Sequence, residues 1–236
     1  MTSLIINPYK FAAPPSAELI TANQKFDYDA DLNITLEDTD RVTKWDNQNG
    51  IAGDLTAGTG TNRRPTLITN GNPAGDGDSI QFDGINNNLI SGAFTWVQPC
   101  TVYIVVKEVT WTSADDWFDG FAVISMMVQQ QVTTPDIGIF AGNIAAINGD
   151  LAIGDWGIAC AVYDGASSSL RINNNTKTTG NPGTADPGGL TLGSRGNGQN
   201  ESNIEVVRFL GYDTSAHSDA EQDQNITALN NIYSVF

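Results

Sequence analysis

The chain reads as an all-β domain built from antiparallel layers, with a short helix at its end and an extended arm at its start. Three observations lead there. Short runs of β-branched and aromatic residues recur along the chain, separated by Gly, Asn, Asp and Pro turns at a spacing typical of sandwiches. Of the 27 acidic residues, 21 are Asp and 6 are Glu, and Asp serves turns where Glu serves helices. Only the last segment changes to a helical period, and nothing repeats at a solenoid or propeller spacing.

Residues 1–17 hold two consecutive prolines, Pro14 and Pro15, which bias the chain towards an extended arm. At 26–38, FDYDADLNITLED places Asp27, Asp29, Asp31 and Asn33 at alternate positions, as in the first half of an EF-hand loop. Leu32 stands where that turn needs Gly, and Asp38 where it needs Glu. The simpler reading is a solvated strand face with Phe26, Tyr28, Leu32 and Ile34 partly inward. VTKWDNQNG at 42–50 sets Trp45 against turn formers, either as a core-capping indole or as a ring that stacks on sugar. Strands are expected at 79–82 and 88–91 around the turn DGINN, and at 101–109 (TVYIVVKEV), which is too β-branched for a helix. Further strands are expected at 122–128, 137–140, 151–153 and 157–163. SLRIN at 169–173 precedes the hairpin signal Asn174-Asn175, and strands at 190–192 and 204–212 follow. Ser218 and Glu221 form a capping box ahead of a helix with Ile226, Leu229, Ile232 and Tyr233 on one face.

With 236 residues the chain fits one domain, residues 18–236 after the arm at 1–17, and its core needs no metal or disulfide. Lys and Arg number 11, giving a net charge of −16, which repels phosphate backbones and anionic membranes. Nucleic acid and membrane insertion are therefore excluded as partners. Cys100 and Cys160 sit in apolar strand contexts and read as buried free thiols. The start of the chain lacks a basic, apolar signal peptide, so synthesis in a cytoplasm is expected.

The segments RVTKWDNQNG, Arg63-Arg64-Pro65, SIQFDG, WGIACAVYDG, SLRIN, GGLTLGS and IEVVRFLGY, in this order, resemble the laminin-G-like branch of the concanavalin A-like lectin/glucanase superfamily. The resemblance implies a two-sheet antiparallel jelly-roll sandwich, and within it Trp45 is a packing residue. LIINPYKF at 4–11 resembles the opening of bacteriophage virion proteins that carry such a domain. It implies a virion location, with Ile5, Asn7, Pro8, Tyr9 and Phe11 docking the arm on other virion proteins, and a homo-oligomer.

Glycosidases of that superfamily carry Glu-x-Asp-x-x-Glu on a strand, which places acid, nucleophile and helper on one face. None of the six Glu falls in that pattern. His217, the one histidine, lies in a polar turn and reads as solvated. The sequence therefore argues against an enzyme. The insert TWTSADDWFDG at 110–120 crowds Trp111, Trp117, Asp115, Asp116 and Asp119, a composition that suits saccharide recognition, a subunit interface or internal packing. Asp76 and Asp78, in the glycine-rich GNPAGDGDS, are candidate Ca2+ ligands, although the fold requires no cofactor. The expected function is a non-catalytic structural, decoration, fibre or tail component of a phage virion, touching host glycans. The alternatives are a free-standing carbohydrate-binding module and, behind it, a polysaccharide hydrolase or lyase without the usual motif.

Overall fold

The computed structural model describes residues 17–58, 63–122 and 124–236. The arm residues Ile5, Asn7, Pro8, Tyr9 and Phe11 lie outside the described residues. In chain order the strands are β1 (Gln24–Asp29), β2 (Ile34–Leu36), β3 (Val42–Trp45), β4 (Leu55–Ala57), β5 (Thr66–Ile68), β6 (Ser79–Gln81), β7 (Leu89–Ala93) and β8 (Cys100–Glu108). They continue as β9 (Asp116–Asp119), β10 (Met127–Gln130), β11 (Ile137–Phe140), β12 (Ile144–Asn148), β13 (Trp156–Tyr163), β14 (Ser168–Ile172), β15 (Thr178–Gly180), β16 (Gly189–Leu192) and β17 (Ile204–Tyr212), followed by the helix α1 (Asp219–Tyr233).

Two antiparallel sheets stack as a sandwich. One runs β15-β14-β13-β8-β17-β6-β5, with β1 also on β17; the other runs β12-β11-β10-β9-β16-β7-β4-β3-β2. Aromatic rings join them: Phe209 of β17 lies 5.1 Å from both Phe26 and Phe118, and Phe26 lies 5.1 Å from Trp96. Each such ring removes a large apolar area from water and adds edge-to-face attraction to its neighbours.

The first sheet is covered on its other face by α1. Tyr103, Val105, Ile158, Cys160 and Leu210 pack there against Ile226, Leu229 and Tyr233. A strand buried on both faces needs apolar residues at every position, which is why TVYIVV does not alternate. Ile232, expected on the packed face of the helix, is 49% exposed on its shoulder.

His217 is a correction to the sequence reading. It is buried under α1, with Nδ1 2.8 Å from the Tyr103 hydroxyl and its ring 4.3 Å from that of Tyr212. Burial holds its pKa below the usual value. Residues 151–153 turn instead of pairing, and β12 takes the place expected for them. Cys100 and Cys160 are buried free thiols, the latter pushed up to about 12 by burial.

The capping box forms, with the Ser218 N–H donating to Glu221 Oε2 at 2.8 Å. Ser218→Ala removes the cap that satisfies the first-turn amides, so it should lower unfolding free energy by about 1 kcal/mol in urea titrations. Among the described residues no helix is long and apolar enough to cross a membrane.

Candidate functional site

The insert at 110–120 folds back on the sandwich as a strand instead of standing out as a loop. Asp116–Asp119 forms β9, between β10 and β16. This buries Trp117, Asp116 and Asp119 completely, and leaves Trp111 and Asp115 half-buried at the surface. Trp111 is fixed by its indole N–H, which donates to the Gln131 carbonyl at 3.2 Å.

The buried members are consumed by contacts within the chain. Trp117 Nε1 donates to Glu108 Oε1 at 2.8 Å, and Gln130 Nε2 donates to the same oxygen at 3.0 Å. Glu108 Oε2 is buried without a hydrogen-bond partner, and burial pushes the carboxyl up to about 7 against the two bonds that lower it. Asp116 accepts from Arg195 Nε at 2.9 Å and from Gln129 Nε2 at 2.8 Å; burial nevertheless raises it to about 7. Asp115 is raised to about 6, mainly by burial. Asp119 accepts from the amides of Gly120, Ile124, Ser125 and Gly196, which makes it the anchor of two loops.

The second of those loops, 193–202, is stitched to the insert from several sides. Gly193 N–H donates to Trp117 O, Asn200 Nδ2 to Ala114 O, and Ser202 Oγ to Asp116 O. Its outer flank, Gly196-Asn197-Gly198, lines an open polar cleft of about 300 Å³ together with Gly58, Arg63, Asn88 and Ile90. Asn88 is 1% exposed, and its Nδ2 donates to Ser194 Oγ at 3.3 Å. Sequence reasoning missed Glu108, Gln130, Arg195, Arg63 and Asn88 as site residues. The signal that could have found the cleft was the glycine-rich GSRGNG ahead of the strongest late strand.

The two acidic stretches weighed for Ca2+ meet each other. Asp78 N–H donates to Asp31 Oδ1 at 2.6 Å, Asp78 Oδ1 accepts from Asn70 N, and Asp76 Oδ1 accepts from Asn72 Nδ2. Asp27 and Asp29 belong to a side chain instead: Arg208 binds Asp27 through Nε and Nη2 at 2.9 and 2.8 Å, and Asp29 through Nη1 at 3.2 Å. Among the described residues no three His, Cys, Asp or Glu side chains are placed to hold a metal ion. Trp45 has no exposed surface, and its indole N–H donates to Asp29 O at 2.8 Å, which makes it a packing residue.

No family model and no curated protein matches the sequence. Solved structures do match the fold. The sialidase of Trypanosoma rangeli, in complex with sialic acid, superposes with a TM-score of 0.63 at 10% identity over 92% of this chain and 34% of that one. An arabinofuranosidase complexed with arabinofuranosyl-alpha-1,2-xylobiose gives 0.60 at 15% identity, over 80% of this chain and 51% of that one. The binding domain of Paraclostridial Mosquitocidal Protein 1 gives 0.61 at 12% identity, over 89% and 53%. The chain thus spans a third to a half of these proteins, and what it shares with them is the β-sandwich. The expectation of a non-enzyme is corrected here. A sialidase and an arabinofuranosidase carry this fold, so the missing Glu-x-Asp-x-x-Glu gives no ground for excluding an enzyme. The fold is one found among carbohydrate-related proteins.

Proposed function

We propose that the protein binds saccharide around the 193–202 loop, with Trp111 and Asp115 on one flank and the Arg63–Asn88 cleft on the other. The observation that carries this reading is the cleft. It is polar and open, is built on a loop whose rear is locked by buried hydrogen bonds, and falls at the small end of ligand-sized recesses. The cleft supplies amide and guanidinium groups for hydroxyls, and Trp111, half-buried on the insert that the loop is bonded to, supplies an aromatic face of the kind on which sugar rings stack. The names of the fold's relatives, a sialidase bound to sialic acid and a glycosidase bound to an arabinofuranosyl xylobiose, support the same chemistry. On a glycan array the chain should bind a restricted set of sugars, and Trp111→Ala should weaken that binding at least threefold while the variant still unfolds cooperatively. Silence across the array would remove the proposal. Assaying the same panel for released reducing sugar tests the activities named for the relatives.

The leader LIINPYKF favours a second, compatible setting: a component of a phage particle, anchored through the arm to other virion proteins and assembled as a homo-oligomer. Mass spectrometry of purified particles should find the full chain and lose it when residues 1–17 are deleted.

A further inference from the structure

We propose that the cleft selects an acidic sugar, with a ring carboxylate on the Arg63 guanidinium and a neighbouring hydroxyl donating to Asn88 Oδ1. This rests on the saccharide reading and names its substrate class. Three observations converge on it.

Arg63 is a half-buried cation without a carboxylate among the described residues, and the remaining segments contain no Asp or Glu. The chain carries 27 acids, and every other described Lys or Arg except Arg41 is ion-paired. Arg41 instead donates to the Arg64 carbonyl. A guanidinium kept free in so acidic a molecule is a fork aimed at a planar carboxylate from outside.

Asn88 Oδ1 is buried with no hydrogen-bond partner. Its orientation is settled by its neighbour. Ser194 Oγ spends its proton on the Arg195 carbonyl at 3.0 Å, so it can only accept from Asn88, and the amide must present Nδ2 to it. Oδ1 is thereby left as a buried, unsatisfied acceptor in a residue that lines the cleft, and the donor it lacks is one that a sugar hydroxyl supplies on entering there.

Two glycines let the flanking backbone approach the pair closely. A Cβ on Gly58 would stand 2.8 Å from Arg63 Cδ and 3.3 Å from Asn88 Oδ1. A Cβ on Gly198, at φ +70°, would stand 2.8 Å from Arg63 Nη1 and 3.2 Å from Asn88 Nδ2. The net charge of −16 opposes an anionic ligand, but salt screens exposed charges beyond about 8 Å at physiological ionic strength, so the local cation governs the cleft.

The test titrates the full chain with D-galacturonate, D-glucuronate, N-acetylneuraminate, the methyl ester of galacturonate, neutral galactose and acetate, read by calorimetry or amide chemical shifts. At least one acid should bind ten-fold or more tighter than galactose, and the galacturonate ester should lose any preference the free acid shows. Arg63→Gln should abolish that preference with an unchanged thermal midpoint, Arg63→Lys should retain part of it, and Gly198→Ala should reduce it. Acid and ester binding equally, acetate competing as well as the sugar acid, or a preference that survives Arg63→Gln would each overturn the proposal. Neutral sugars bound in a Trp111-dependent way, without acid preference, would sink this inference and leave the saccharide reading standing. Silence towards every sugar would sink both.

Discussion

Arg208→Met should lower the free energy of unfolding by about 3–5 kcal/mol at pH 7, among the largest single losses available to this molecule. Arg208 stands on β17 with its side chain 13% exposed. It faces Asp27 and Asp29 of the neighbouring β1, each 11% exposed at the side chain, and its Nη1 reaches the Tyr233 hydroxyl of α1 at 3.5 Å. One guanidinium therefore neutralises two nearly buried carboxylates and ties strand, strand and helix. Methionine fills similar space but leaves both anions without a cation, and an uncompensated buried charge costs far more than the ion pair contributes by itself. Burial already raises Asp29, with Arg208 pulling the other way. Without Arg208 its carboxyl must rise further. The deficit should consequently shrink as pH falls from 7 to 4, because protonation discharges the stranded Asp29. Guanidinium titrations of Arg208→Met and of the triple variant with Asp27→Asn and Asp29→Asn provide the check. The triple variant should recover part of the loss, and strict additivity of the separate costs would refute the coupling.

That cluster shows where the sequence was legible and where it was not. The long, mainly apolar and β-branched runs at 101–109, 157–163 and 204–212 announced β8, β13 and β17 almost to the residue, because strands buried on both faces admit few polar residues. The capping box and the helix behind it were equally local signals. The alternating acids of β1 suggested solvent or calcium, and nothing nearby in sequence shows that a cation 181 residues away closes on Asp27. β9 was hidden for a related reason. Asp at both ends of DWFD reads as turn chemistry, and only the pairing of Phe118 with Val128 and with Leu192 makes those four residues a strand. Composition alone left Trp117 and its acids open between saccharide recognition, a subunit interface and internal packing. Long-range pairing turned them inwards and left Trp111, Asp115 and the outer flank Gly196-Asn197-Gly198 of the 193–202 loop at the surface. Charge and aromaticity were visible in the chain; the side of the sheet on which they fall was not.

Replacing Glu108 by Gln should flatten the pH dependence of stability. The Glu108 carboxyl has no exposed surface and rises from the ordinary value of 4.5 to about 7 because burial disfavours its charge. Between those values the folded chain holds a proton that the unfolded chain releases. The wild type therefore loses stability as pH climbs from about 4.5 to about 7 and levels off above, with a full amplitude of roughly 3 kcal/mol for this group. Glutamine preserves an oxygen to accept from Trp117 Nε1 and Gln130 Nε2, yet cannot ionise. Its stability relative to wild type should thus improve by up to about 3 kcal/mol between pH 4.5 and pH 8, measured by urea denaturation at stepped pH. Parallel curves for the two proteins would show that Glu108 is already ionised in the fold. Trp117→Phe gives an independent reading: it deletes a donor that favours the carboxylate, so the Glu108 midpoint should move higher and the loss should extend to more alkaline pH. A merely structural role for Trp117 would lower stability equally at every pH, and the slope separates the two.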